Sequence, residues 1–133
     1  MMFLLDTDTV IHILKGDQVA EAHLTKHYHD PIMIGVVTLM ELYYGAYKSQ
    51  KVTSNLAKIK TIENTLEILP MGEEIADIFG REKARLERAG IPLDDFDLAL
   101  GCCALAHNLI LVTNNVKHFK RIEGLRITNW LVE

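Results

Sequence analysis

Cysteine and long apolar runs are scarce in this 133-residue sequence. Its two cysteines, Cys102 and Cys103, are adjacent within a helical pattern, so they form neither a disulfide framework nor a spaced metal motif. We expect them to be buried thiols in a reducing compartment, which makes the cytoplasm the default location. No apolar stretch approaches the ~20 residues of a membrane helix. The apolar run at residues 1–5 is too short for a signal peptide and lacks its basic start.

An excess of positive charge, a linker and internal repeats are also absent. The net charge is −4, which is a poor global match to a protein that coats RNA. Basic residues cluster locally, around residues 48–60, 81–88 and 117–126, but solvated helix faces explain most of them. Hydrophobic residues make up 49% of the chain, so it can bury a core without disulfides. We therefore expect one domain over residues 1–133.

Short apolar runs alternate with segments of helical spacing along the chain. The runs predict buried strands at Met2–Leu5, Ile32–Val37, Leu66–Leu69 and Leu109–Val112, with a weaker fifth at Leu125–Thr128. The helical spacing predicts helices at Thr38–Gln50, Glu73–Ala89 and Asp94–His107. Strands that alternate with helices indicate right-handed crossovers and a mainly parallel sheet covered on both faces.

Polar side chains follow the predicted strands. Asp6 comes directly after the first strand, Glu41 lies one helical turn after the second, and Thr113 and Asn115 follow the fourth. Asp97 lies in the first turn of the last predicted helix, which leads into that fourth strand. Functional groups of such sheets gather beyond the carboxyl ends of the strands, where the strand order reverses. We therefore expect these side chains to converge at one edge of the sheet.

Carboxylates that crowd together repel one another, and their pKa values rise unless a cation neutralises them. Mg²⁺ and Mn²⁺ prefer oxygen ligands, so a small carboxylate cluster suits them. Zinc suits the sequence less well, because the six histidines are scattered without ligand spacing. We interpret all six as structural or surface residues. The hypothesis is that Asp6, Asp97 and Glu41 hold a divalent ion while Thr113 and Asn115 complete its surroundings.

Helix capping is an alternative explanation for each acid. Residues 38–41, Thr-Leu-Met-Glu, fit a capping box, and Asp94 is a plausible N-cap. Taken singly, capping explains Glu41 and Asp94 better than a site does, is evenly balanced for Asp97, and is the weaker explanation for Asp6. Taken together, the acids favour a site, because capping does not explain why they all lie toward one end of the strands.

The combined motifs resemble those of PIN-domain ribonucleases, specifically the VapC toxins of type II toxin–antitoxin systems. The resemblance implies a three-layer α/β/α PIN-like domain with a mainly parallel four- or five-stranded sheet. It spans almost the full chain in the expected order. The matching segments are Leu4–Asp8, Thr38–Ala46, Phe96–Leu98, Leu111–Asn115, His118–Phe119, Glu123–Arg126 and Asn129–Trp130.

This resemblance also implies a function. It implies Mg²⁺-dependent hydrolysis of RNA phosphodiester bonds, with Mn²⁺ able to substitute, and growth inhibition until a cognate antitoxin neutralises the toxin. A homodimer and cleavage of initiator tRNA in the anticodon loop are implied as well. Asp6 and Asp97 match the metal-binding aspartates of the family, and Glu41 matches its third acid. Asp8 stands where the family usually has Asn, so it is a candidate extra ligand, and the often acidic fourth position falls in 113–115 without a carboxylate.

Two other functions remain open from the sequence. Asp6-Thr-Asp8 after an apolar strand resembles the opening motif of haloacid-dehalogenase-type phosphatases, with Asp6 as nucleophile and Asp8 as general acid and base. A length of 133 residues is short for that family, and Glu41 has no role in it. The second is a non-enzymatic α/β module that binds an acidic peptide or RNA, and added Mg²⁺ should not stabilise such a module.

Overall fold

Strands and helices alternate throughout the computed structural model, which describes residues 1–133. The parallel strands are β1 (Phe3–Leu5), β2 (Ile32–Gly35), β3 (Glu67–Leu69), β4 (Ile110–Val112) and β5 (Ile127–Thr128). The helices are α1 (Thr7–Leu14), α2 (Gln18–Lys26), α3 (Val36–Lys48), α4 (Val52–Thr65), α5 (Ala76–Arg88), α6 (Asp95–Ala106) and α7 (Val116–Phe119). A single 3₁₀ turn at Glu73–Ile75 precedes α5.

The strand order in the sheet is β3-β2-β1-β4-β5. Strands β2 and β3 lie on one side of β1, and β4 and β5 lie on the other. Leu4 of β1 is therefore paired with Met33 of β2 on one side and with Leu111 of β4 on the other. The strand order therefore reverses between β1 and β4. In a parallel sheet this reversal opens a crevice beyond the carboxyl ends of the two strands.

Both faces of the sheet are buried. Successive residues of a strand point to opposite faces. Leu4 accordingly packs in one core cluster with residues of α5 and α6, while Phe3 and Leu5 pack in a second cluster with residues of α1, α3 and α4. The three-layer α/β architecture that the sequence predicts is confirmed.

Helix α6 is the most deeply buried helix of the fold, with every residue from 98 to 104 inside the core. Its small residues allow a close approach of the neighbouring chain. A Cβ atom at Gly101 would collide with the side chain of Ile122. Cys102 and Cys103 are both free and buried, as predicted. This packing fixes the first turn of α6 against the sheet.

The start of α3 differs from the sequence prediction. Strand β2 ends at Gly35, and the helix begins at Val36 with Gly35 as its N-cap. Thr38 therefore lies inside the first turn, so the capping-box interpretation of Glu41 was wrong. Gly35 also allows α6 to lie close to this junction, since a Cβ atom at position 35 would come within 3.3 Å of Leu100 Cδ1.

Helices α2 and α4 were not singled out from the sequence. Helix α2 buries only Ala20, and α4 buries only Ile59 and Ile62. Apolar faces this narrow do not stand out as a helical period.

None of the helices combines the length and the apolar character needed to cross a membrane.

Candidate active site

Asp6 occupies the junction between β1 and α1. Its backbone N–H donates to the Val112 carbonyl of β4 at 3.0 Å, and its side chain caps α1 by accepting from the Thr9 N–H at 2.8 Å. The residue is only 7% exposed. This burial raises the pKa of Asp6 above its usual value, although hydrogen bonds from Thr113 and Thr9 act in the opposite direction. Asp6 is thus a helix cap whose charge is poorly solvated.

Glu41 is held by residues of two helices. The Thr7 hydroxyl donates to Glu41 Oε1 at 2.6 Å and lies 3.3 Å from the Thr38 hydroxyl. Thr38 is fully buried, so its hydroxyl holds the Thr7 side chain from the core side. The contact fixes one carboxylate oxygen of Glu41 and joins the start of α1 to the second turn of α3.

Asp97 lies in the first turn of α6, whose N-cap is Asp94, as predicted. Partial burial raises the pKa of Asp97 to about 6, and the negative charges of Asp94, Glu41 and Asp6 act in the same direction. His118 lowers it. The first turn of α6 thus places Asp97 beside acids from the end of β1 and from α3, which are remote along the chain.

Thr113 and Asn115 play different parts at the end of β4. Thr113 is fully buried, and its hydroxyl accepts from the Asn115 N–H at 2.9 Å. It also lies close enough to Asp6 to lower the pKa of that carboxyl. Asn115 lies at the surface of the site, with its side-chain amide 2.6 Å from His118 Nδ1. Thr113 can therefore orient Asp6 but does not face the solvent.

These side chains surround a shared pocket of about 270 Å³ at the switch point of the sheet. Of the residues predicted from the sequence, Asp6, Glu41, Asp97 and Asn115 line it, together with Asp8, while Thr113 does not. No three acidic, histidine or cysteine side chains are arranged closely enough to hold a metal ion as they stand. The predicted carboxylates thus share one pocket, and their role as metal ligands remains a prediction.

Thr7 and His118 contribute to the site but were not proposed from the sequence. Thr7 follows Asp6 directly. Threonine is common at helix starts, so its presence there does not indicate a functional site. His118 was interpreted as structural or surface, yet it lies close enough to Asp97 to lower its pKa. Both residues lie in segments that match the family motifs, but only the contact between α1 and α3 and the position of α7 show what each of them contacts.

The pocket can bring an electrophile or a cation into contact with several carboxylate oxygens. Its lining offers acidic and amide oxygens and contains no cysteine or histidine. A comparison with known proteins identifies the family of the chain. Residues 3–125 match the PIN domain. The chain belongs to the PIN-domain family.

Its relatives among characterised proteins are full-length matches. The PIN domain described here is 35% identical over 130 residues to the tRNA(fMet)-specific endonuclease VapC of Shigella flexneri, with 98% of each chain covered. It is 32% identical over 131 residues to Ribonuclease VapC2 of Haemophilus influenzae, covering 98% of this chain and 99% of the relative. The recognition of a VapC-type PIN domain from sequence motifs is therefore confirmed.

Solved structures share the fold over the same length. The VapBC2 complex of Rickettsia felis, bound to a DNA fragment from its promoter, superposes with a TM-score of 0.93 at 32% identity and covers 98% of this chain and 99% of that one. DNA-bound VapBC from Salmonella typhimurium gives a TM-score of 0.91 at 34% identity, with 98% of both chains covered. Because the chain belongs to the PIN-domain family, the alternative of a haloacid-dehalogenase-type phosphatase is wrong.

Proposed function

We propose that this PIN-domain chain, as one domain over residues 1–133, is a divalent-metal-dependent endoribonuclease and the toxin of a toxin–antitoxin pair. The observation that carries the proposal is the convergence of Asp6, Glu41 and Asp97 on one pocket at the switch point of the sheet. The ribonuclease names of its full-length relatives support the same chemistry.

The donor set of the pocket fits Mg²⁺, with Mn²⁺ as a substitute. Its side-chain ligands are all oxygens, and hard divalent ions prefer such ligands. The raised pKa values of Asp6 and Asp97 indicate negative charge that the surrounding side chains do not neutralise. We propose Asp6 and Asp97 as direct ligands and Glu41 as a residue that binds the ion through a water or orients the attacking water, with Asp8 available as an additional ligand. A divalent ion in this place lowers the pKa of a water and stabilises negative charge on a phosphoryl oxygen.

The chain's own side chains would orient the reacting groups. Asp6 keeps one oxygen free of its capping hydrogen bond, and Thr113 holds that carboxylate in place from the buried side. Glu41 has Oε1 fixed by Thr7, which leaves Oε2 to accept a proton or a hydrogen bond from the attacking water. Asn115, at the rim, would orient the substrate or the water through its amide group.

The substrate we propose is tRNA, and initiator tRNA cut in the anticodon loop is the specific case. Relatives from Shigella flexneri and Salmonella typhimurium are named tRNA(fMet)-specific endonucleases. The partner we propose is a small antitoxin protein, because the structural relatives are VapBC complexes. A positively charged segment of such a partner would complement the acidic pocket and block RNA cleavage, which would relieve growth inhibition.

A homodimer in the cytoplasm completes the proposal. Met40, Tyr44 and Tyr47 are 47%, 66% and 66% exposed along one face of α3, and a second copy of the chain would cover this face. Light scattering of the purified toxin, with Tyr44→Glu as the disrupting variant, tests the dimer. The buried free thiols of Cys102 and Cys103 accord with a reducing compartment.

The decisive experiment compares RNA cleavage by two neighbouring aspartate variants. Purified protein free of antitoxin is incubated with tRNA and Mg²⁺, and the new RNA ends are sequenced. The wild type should cut, whereas Asp97→Asn and added EDTA should abolish cutting. Asp95→Asn is the matched control, because Asp95 is exposed and pairs with Lys83 at 2.9 Å, outside the pocket.

Three outcomes would contradict this function. The first is a wild type that, without its antitoxin, cuts no RNA with either Mg²⁺ or Mn²⁺. The second is an Asp97→Asn variant that cuts as well as the wild type, and the third is an Asp95→Asn variant that is as inactive as Asp97→Asn. Circular dichroism of each variant establishes that it is folded before its activity is compared.

A further inference from the structure

A second groove opens beside the acidic pocket, between α1, α3 and α4. It encloses about 290 Å³, which is near the lower end of the range for ligand sites. Ile11 and Glu41 line both the groove and the acidic pocket. The two cavities are therefore adjacent, and Glu41 stands between them. A polymer bound along one of them would reach the edge of the other.

Two small residues keep the groove open. Gly45 lies one helical turn beyond Glu41 on the same face of α3, and Ala46 follows it. A Cβ atom at Gly45 would meet nothing within 4 Å, so the space above the helix is free. Buried Leu42 and Ile59 form an apolar floor. The ribonuclease chemistry proposed above does not require this space.

The rim of the groove carries two unpaired cations. Lys15, at the end of α1, and Lys58, on α4, both line the groove and are exposed. Neither takes part in an ion pair. By contrast, Lys83 and Arg85 of α5 are paired with carboxylates at 2.9 and 2.6 Å. Lys15 and Lys58 thus place positive charge that no carboxylate neutralises at the rim of the groove.

We propose that this groove binds the backbone of single-stranded RNA next to the scissile bond, with Lys15 and Lys58 holding its phosphate groups. The inference rests on the proposed ribonuclease function and names the substrate-binding surface of that same site. An acidic pocket repels a polyanion, so the RNA needs cations close by to enter it. The two lysines supply them on the side where the cavities join.

The lining of the groove also indicates how selective this contact is. None of its residues is aromatic, so it offers no platform on which a base could stack. Its apolar floor, formed by Leu42 and Ile59, suits a ribose. The groove therefore holds the RNA by its backbone, and its contribution to affinity is independent of sequence.

The test measures RNA binding separately from cutting. Affinity of a fluorescent single-stranded RNA oligonucleotide is measured over a range of salt concentrations in the inert Asp97→Asn background, with and without Lys15→Gln and Lys58→Gln together. Each lost phosphate contact should lower the slope of log K against log salt by roughly 0.7. Lys15→Gln and Lys58→Gln are also measured singly against Lys26→Gln, which removes the same charge at the opposite edge of the sheet, where Lys26 lies with Met1 and Phe3.

Two further readouts separate binding from folding and chemistry. With Asp97 intact, the double lysine variant should raise KM for RNA cleavage roughly tenfold and leave kcat nearly unchanged. Gly45→Leu should fill the groove and weaken RNA binding while its melting temperature stays the same or rises, because leucine is the better helix former. A loss of binding with retained stability cannot come from misfolding.

If the double lysine variant binds RNA with the affinity and salt dependence of the wild type, the inference is wrong, even when the wild type cuts RNA as proposed. If that variant keeps RNA binding but loses its antitoxin, the groove belongs to the protein partner and the inference is also wrong. Failure of the wild type to cut RNA would overturn the proposed function, whereas the binding slopes would still decide the role of the groove.

Discussion

Asp6 and Asp17 begin consecutive helices and perform the same local task. Each accepts a hydrogen bond from a backbone N–H three residues later, from Thr9 at 2.8 Å and from Ala20 at 3.0 Å. Their pKa values nevertheless move in opposite directions. Burial raises the pKa of Asp6, whereas the hydrogen bond from Ala20 lowers the pKa of Asp17 despite some desolvation.

The surroundings of the two caps explain the difference. Asp17 is 3.2 Å from the ring of His12 at the corner between α1 and α2, and solvent reaches it. Asp6 lies under the acidic pocket, where Asp8 adds repulsion. Asp17 therefore stabilises the fold when its carboxylate is charged. At Asp6, burial disfavours the charged carboxylate. Such a charge is stabilised by a cation, and this is the physical basis of the metal we propose.

The largest expected difference between the two caps is in RNA cleavage. Asp6→Asn should reduce the cleavage rate on the order of 10³-fold or more, because a metal ligand contributes several kcal/mol to the transition state. Asparagine caps a helix as well as aspartate does, so α1 should persist. Asp17→Asn makes the same chemical change and should cut RNA at the wild-type rate. Equal loss of cleavage in both variants would show that capping, not catalysis, had been disturbed.

Metal binding should distinguish the caps with a smaller effect. Mg²⁺ at 100 times its Kd should raise the free energy of unfolding of the wild type by about 2.7 kcal/mol. Asp17→Asn should show the same increase and Asp6→Asn little of it. Thermal melts at increasing Mg²⁺, with EDTA as the reference, measure this directly. A wild-type melting temperature that does not respond to Mg²⁺ or Mn²⁺ would count against the metal and favour an inert binding module.

The support of Glu41 should matter less than the ligands themselves. Thr7→Val removes the hydroxyl that donates to Glu41 at 2.6 Å, and loss of such an orienting contact typically costs 10–100-fold in activity. Thr7→Ser keeps a hydroxyl in the same place and should retain most of the rate. Initial rates of RNA cleavage for both variants give the comparison. Equal rates for valine and serine would remove Thr7 from the site.

The positions of the acids could be predicted from the sequence because strand ends are local features. Asp6 follows an apolar run directly, Asn115 lies three residues after the end of another, and a parallel sheet brings strand ends to one edge. The register of β2 into α3 could not be predicted, since Gly35 ends the strand two residues before the apolar run does. The capping-box interpretation of Glu41 failed for that reason.

Contacts between elements that are distant along the chain could not be predicted from the sequence either. Thr7 meets Glu41 only because α1 and α3 pack on the same face of the sheet, and neither residue signals the other. The sequence shows Asp6 and Asp17 each three residues before the backbone N–H that it caps, but it does not show which of them is buried. The difference in pKa between the two caps therefore emerges from packing alone.

The smallest expected difference is in the pH dependence of stability without metal. Because the pKa of Asp97 is raised to about 6, its favourable contribution is present below the ordinary value of 3.8 and is lost as the pH rises through about 6. The pKa of Asp17 is lowered instead. The charged form of Asp17 therefore contributes stability to the fold above the ordinary pKa of 3.8, and this contribution is lost as the pH falls. Urea unfolding in EDTA at pH values of about 3, 5 and 7 should therefore show Asp97→Asn gaining stability over the wild type as the pH rises. Asp17→Asn should lose stability over the same range. Parallel profiles for the two variants would mean that the pocket does not differ electrostatically from an ordinary helix start.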